Sequence, residues 1–177
     1  MGKKNGIGIL LLTVFILIFP LLPLNIYYVS IMIFVGINAI ITTGLCMLMG
    51  YAGQISLGHA AFYGLGAYTS GLLTTRLGMN PWPAILLAAV LTATVALIVG
   101  MPTLKLRGHY LAMATLGFGE IVYIAFNELV SLTGGPSGFG DIPSLSFFGI
   151  PLDSDFSFYF FVWALALVVF VFSMNII

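Results

Sequence analysis

Apolar residues run along this chain in six long stretches, each near the 20 or so helical residues needed to cross a hydrocarbon core about 30 Å thick. The first is about Ile7–Leu24, interrupted by Pro20 and Pro23 near its outer end, and the second about Ile26–Met49, with Gly36, Asn38, Thr42, Thr43 and Gly44 inside it. The third is about Gln54–Thr75. It is predicted to be broken or re-entrant at Gly50–Gly58, where three glycines and two polar residues weaken a helix. The fourth is about Pro81–Leu104. Pro81 and Pro83 suit its first turn, where a missing N–H matters least, and Gly100 and Pro102 mark its fraying end. The fifth is about Tyr110–Leu132, and the sixth runs from near Phe156 to Ile177. The pattern predicts an all-α, polytopic integral membrane protein with about six transmembrane helices in a single domain over residues 1–177.

The third stretch departs most from a plain lipid-facing helix. At helical spacing Gly53, Ser56, Ala60, Gly64, Ala67 and Gly71 follow one another in steps of three or four, a stripe of small side chains against which another helix can pack closely. Ser56, His59, Tyr63, Gly66 and Ser70 form a polar stripe beside it. This face is expected to meet protein or a cavity, with Gly53, Ala60, Gly64, Ala67 and Gly71 serving helix packing.

Composition sharpens the membrane reading. Hydrophobic residues make up 61% of the 177 and charged ones only 6%, with a mean hydropathy of +1.19, whereas soluble domains carry about 25% charged residues. The net charge is zero and no basic cluster offers itself to nucleic acid. A single cysteine, Cys46, excludes an intrachain disulfide. Lys3 and Lys4 precede the first apolar run, but the run is long for a signal core and no small-x-small cleavage site follows, so it reads as a retained span. With the N-terminus cytoplasmic, Lys3, Lys4, Lys105 and Arg107 lie inside and only Arg76 outside, as the positive-inside rule asks. The long link Thr133–Asp155 is then external. It is rich in Gly and Pro, holds Asp141, Asp153 and Asp155, and carries Phe147, Phe148 and Ile150, which suggest a segment lying on the membrane surface or a partner.

Few residues are suited to chemistry. Glu120 stands near the middle of the fifth stretch, where an acid is about 2.5–3.5 kcal/mol unfavourable unless protein or water shelters it. Tyr123, Asn127 and Ser131 follow at helical steps, giving that stretch a polar face. Glu120 either fixes packing through a hydrogen bond to a neighbouring helix or lies on a transport path. His59 has the same two readings, and a His59–Glu120 contact is a hypothesis. Gln54 and Ser56 suit a helix N-terminus, either as a plain cap or facing a cavity that takes a carboxylate. Nothing has metal-ligand spacing, and no cofactor is expected. G-x-x-x-x-G-K-[ST], G-x-S-x-G and H-E-x-x-H are all missing, so the chain reads as a non-enzyme.

Three blocks carry a resemblance: Gly50–Tyr68 (GYAGQISLGHAAFYGLGAY), Leu106–Ile121 (LRGHYLAMATLGFGEI) and Leu132–Gly138 (LTGGPSG). In that order they resemble the branched-chain amino acid permease family of ABC importers, the LivM-type subunit more than its LivH-type partner, over roughly residues 30–150. The resemblance implies a pore-forming subunit of the cell (inner) membrane, paired with a second related permease. Two cytoplasmic ATPases would energise it, and an extracytoplasmic binding protein would deliver leucine, isoleucine or valine. It also implies a C-terminally incomplete chain, since family members continue further. Gln54, Ser56, His59 and Glu120 are the residues expected near the translocation path. Rival readings are the same architecture carrying urea or short amides, and an ATP-independent secondary transporter or channel.

Overall fold

The structure is a computed structural model, and it describes residues 3–21, 25–103, 105–147, 150–151 and 154–176. It is all-α and multi-pass. Six long helices follow the six predicted stretches: α1 (Lys3–Ile18), α2 (Ile26–Tyr51), α3 (His59–Thr75), α4 (Pro81–Thr103), α5 (His109–Glu128) and, after the one-turn α6 (Val130–Thr133), α7 (Asp155–Ile176). Among the described residues, α2, α4, α5 and α7 are long and apolar enough to cross a membrane, while α1 and α3 have 16 and 17 residues. The only regular extended structure described is a two-residue antiparallel pair, β1 (Ser146–Phe147) with β2 (Ile150–Pro151). Phe148 and Asp153 of the predicted external link lie outside the described residues, as do the side chains of Phe147 and Ile150. Contacts divide the chain into two compact units, Met1–Met47 with Leu152–Ile177, and Leu48–Pro151.

The first unit packs large side chains. Ile16 of α1, Val29 and Ile33 of α2, and Tyr159, Val162, Trp163 and Ala166 of α7 form one apolar cluster. Gly36 leaves the room for it, because a Cβ there would stand 2.8 Å from Val162 Cγ1 and 3.4 Å from the Trp163 ring. Pro20 lacks the N–H that would continue the α1 ladder onto the Ile16 carbonyl. The hydroxyl of Tyr159, 0% exposed, donates to that carbonyl at 3.0 Å and repairs the gap. Side-chain caps begin two helices: Asn25 Oδ1 accepts from the Tyr27 N–H (3.4 Å) ahead of α2, and Ser154 Oγ from the Ser157 N–H (3.2 Å) ahead of α7. Ser30 Oγ donates to Asp155 Oδ2 at 3.3 Å.

The second unit packs small ones. Its buried residues include Gly58, Ala61, Gly71, Thr74, Ala84, Ala88, Thr133 and Gly135, with Leu111 and Val122 from α5. α3 packs against both α4 and α5. α4 begins as its sequence predicts, with Asn80 Oδ1 accepting from the Trp82 N–H (3.2 Å) and Pro81 in the first turn. The Trp82 indole N–H reaches the Ser146 carbonyl at 2.6 Å.

Several predicted boundaries move, α1 to Lys3–Ile18 from about Ile7–Leu24 and the end of α2 to Tyr51 from about Met49. α3 begins at His59, so Gln54 and Ser56 belong to the non-helical segment 52–58 and not to the span. α5 stops at Glu128, and Ser131 falls beyond the break, in α6. No glycine or proline marks that break. A continuous helix would bond the Phe126 carbonyl to the Val130 N–H, but the Thr133 hydroxyl donates to it instead, and also to the Leu129 carbonyl at 3.0 Å. The guanidinium of Arg76, the cation predicted outside, closes the end of α3 onto the carbonyls of Ser131 and Leu132. Gly134 then turns the chain at φ +77°, where a Cβ would overlap the Gly138 carbonyl, so this turn requires glycine.

Candidate functional site in the α3–α5 groove

The site grows from one close approach. The Leu57 N–H, on the non-helical segment before α3, donates to Thr115 Oγ1 at 3.1 Å, while the Thr115 hydroxyl donates to the Ala112 carbonyl at 3.0 Å. The chain next to Leu57 is pressed onto the α5 backbone. A Cβ on Gly58 would overlap the Thr115 carbonyl oxygen, and one on Gly119 would lie 3.4 Å from Gly58 Cα. Two glycines on facing segments thus bring backbone to backbone, as small residues do in membrane packing. Gly58 also precedes α3 without any side-chain cap, and so does Gly108 before α5, unlike the capped starts of α2, α4 and α7.

Beside this contact, with Gly58 and Gly119 in its lining, lies a groove of about 350 Å³ between α3 and α5. Leu57, Ala60, Ala61, Leu116, Val122 and Phe126 line it with apolar surface, and Glu120 and Tyr123 supply its polar side chains. Glu120 is exposed near the middle of α5, and its carboxylate takes no hydrogen bond or ion pair from any described residue. Tyr123 is 63% exposed beside it. Among the described residues no group of three or more His, Cys, Asp or Glu side chains is placed to hold a metal ion.

Residues 27–175 match the family described as branched-chain amino acid transport system / permease component. The chain belongs to this family. It is 42% identical over 114 residues to the high-affinity branched-chain amino acid transport system permease protein LivM of Salmonella typhimurium, covering 64% of this chain and 27% of that protein. Its identity to LivM of Escherichia coli K12 is 41% over 114 residues, with the same coverage. The chain thus spans about 27% of the length of these relatives. No solved structure gives a significant match. Membership places the chain in a family of membrane permease components and not of enzymes.

Within this permease the structure distributes the sequence-predicted residues unevenly. Glu120 lines the groove. His59, the first residue of α3, is half-buried, does not line the groove, and makes no hydrogen bond or ion pair with Glu120. Gln54 and Ser56 lie half-buried on segment 52–58 and do not cap α3, whose N-cap is Gly58. Asn127 turns back to donate to the Tyr123 carbonyl at 3.1 Å.

The small-residue stripe is also revised. Gly53 and Ser56 lie off the helix, Gly53 at φ +58°, so only Ala60, Gly64, Ala67 and Gly71 remain on α3. Aromatic rings occupy the hollows left by its glycines. A Cβ on Gly64 would meet Phe126 at 2.9 Å, and one on Gly71 would meet Phe139 at 2.7 Å. Tyr68 joins the two rings, 4.3 Å from Phe126 and 5.6 Å from Phe139 between centroids. Ala60 and Ala67 are exposed. Sequence reasoning missed Thr115, Gly119 and Phe126. The step of four from Thr115 to Gly119 immediately before Glu120 was the available signal, but its partner Gly58 stands 57 residues earlier.

Proposed function

We propose that this permease chain forms part of the translocation path of an ATP-driven importer of branched-chain amino acids, with the α3–α5 groove on that path. The observation that carries the proposal is Glu120: a carboxylate without a partner among the described residues, at mid-helix in a membrane protein, opening into a cavity of small-molecule size. Gln54 and Ser56, on the segment entering α3, and His59 at its start border the same path. Partners supply the energy and the solute in this reading: two cytoplasmic ATPases, with a second related permease beside this one and an extracytoplasmic binding protein delivering solute. The chain itself works without a cofactor. It lies in the cell (inner) membrane with its N-terminus cytoplasmic, the orientation favoured by Lys3, Lys4, Lys105 and Arg107.

Import would proceed by alternating access, with closure of the ATPases changing which side reaches the groove. The solute biases this equilibrium only through different affinities for the two states. The test is uptake of labelled leucine by vesicles holding the complete transporter, with and without ATP and with excess urea. ATP-dependent leucine uptake that urea does not reduce is the expected result. Uptake unaffected by removing ATP would replace this reading with an ion-coupled transporter or channel, and competition by urea would replace the substrate class.

A further inference from the structure

We infer that Glu120 is the specificity-determining residue of the α3–α5 groove, binding the ammonium group of a small aliphatic amine or amino acid and rejecting neutral amides of the same shape. The inference deepens the transport reading and rests on it.

Among its described lining residues the groove has one acidic side chain and no basic one. Its other described lining residues are glycines, apolar side chains and Tyr123, with no Lys, Arg or His among them. An ionised carboxylate only accepts hydrogen bonds, and at hydrocarbon depth it needs a cation or several donors. An alkylammonium supplies both, with three N–H donors and a unit charge. A metal ion does not fit, because no second acid, histidine or cysteine joins Glu120 in a ligand group among the described residues. The volume, about 350 Å³, is at the small end of ligand cavities, which run from about 300 to 1,000 Å³, so the ligand is a single small molecule and not a peptide. Leu57, Leu116, Val122 and Phe126 share the groove with the carboxylate and offer apolar surface to a short branched chain on the same ligand. Charged hydrogen bonds are about twice as strong as neutral ones, so an amide that fits the apolar walls still loses to an ammonium.

The test uses the complete transporter with Cys46→Ser to remove the free thiol and Ala60→Cys as a reporter, since Ala60 is exposed and lines the groove. Labelling by a maleimide is followed against leucine and against 4-methylpentanamide, which keeps the branched chain and lacks the ammonium. Leucine is expected to protect the reporter and the amide to protect it far less. Glu120→Gln should raise the half-protecting leucine concentration about tenfold or more, the size of one lost charged hydrogen bond, without changing the amide's weak effect. Glu120→Asp should return protection toward the parent value. Equal protection by leucine and the amide in the parent overturns the inference, even where Glu120→Gln fails to assemble. So does an unchanged leucine concentration in Glu120→Gln, or a parent that imports leucine with ATP yet shows no protection. A parent that does not import leucine at all overturns the transport reading itself.

Discussion

The two units are held together by different means. In the first, bulk does the work: Tyr159, Trp163, Val162 and Ile16 fill a common core, and Gly36 is the notch that admits them. In the second, proximity does it: Gly58 and Gly119 bring backbones together, threonine hydroxyls take carbonyls, and rings lie over Gly64 and Gly71. Both leave cavities, one of about 830 Å³ beside Thr42, Cys46, Trp163 and Phe170 in the first unit and the groove of about 350 Å³ in the second, and they differ in what must move to change them. A core of interlocked large side chains rearranges only by moving many contacts at once. Segments joined by a few backbone approaches have fewer interlocked side chains to move, and the groove with Glu120 lies beside the Gly58–Thr115 contact, with Gly58 and Gly119 in its lining.

Substitutions that add one methyl group separate the two modes. The largest expected effect is Gly58→Ala. Its new Cβ overlaps a carbonyl fixed in the α5 ladder, so the start of α3 must move, and a loss of about 3 kcal/mol is expected, the upper end for overpacking. Gly36→Ala meets the Val162 and Trp163 side chains instead, which can adjust, and about 1–2 kcal/mol is expected. Thermal unfolding of the purified full-length protein in mild detergent would rank them. Equal losses would erase the contrast between backbone and side-chain locking.

Smaller effects sharpen it. Tyr159→Phe leaves the Ile16 carbonyl above Pro20 without its donor, and a loss of about 1 kcal/mol is expected. An unchanged unfolding midpoint would show that the bond does not repair the proline gap. Thr115→Val removes the acceptor of the Leu57 N–H, and about 0.6 kcal/mol is expected, the usual size of a hydrogen bond within a membrane protein. Thr115→Ser should restore it, and failure to do so would assign the effect to the lost methyl group.

The sequence made the spans legible because length and apolarity are local properties. The start of α2 falls where the pattern put it, as do those of α4 and α7 to within a residue, and of the break drawn at Gly50–Gly58 residues 52–58 are non-helical while Gly50 and Tyr51 belong to α2. Glu120 stood out for the same reason, as one acid in an apolar run. What stayed hidden depends on groups distant in sequence. The end of α5 is set by the Thr133 hydroxyl and not by any helix breaker. The stripe on α3 keeps Gly64 and Gly71, but its spacing could not show that rings from Phe126 and Phe139 lie over them. Gln54 and Ser56 looked like caps because the helix was drawn five residues too early.

The most direct test of the groove as a solute path is the environment of position 120 in the assembled transporter. With Cys46→Ser as background, Glu120→Cys should react with a hydrophilic, membrane-impermeant thiol reagent, and a lipid-dissolved reagent should label it poorly. Ready labelling from the lipid phase, with no reaction from water on either side, would contradict the account.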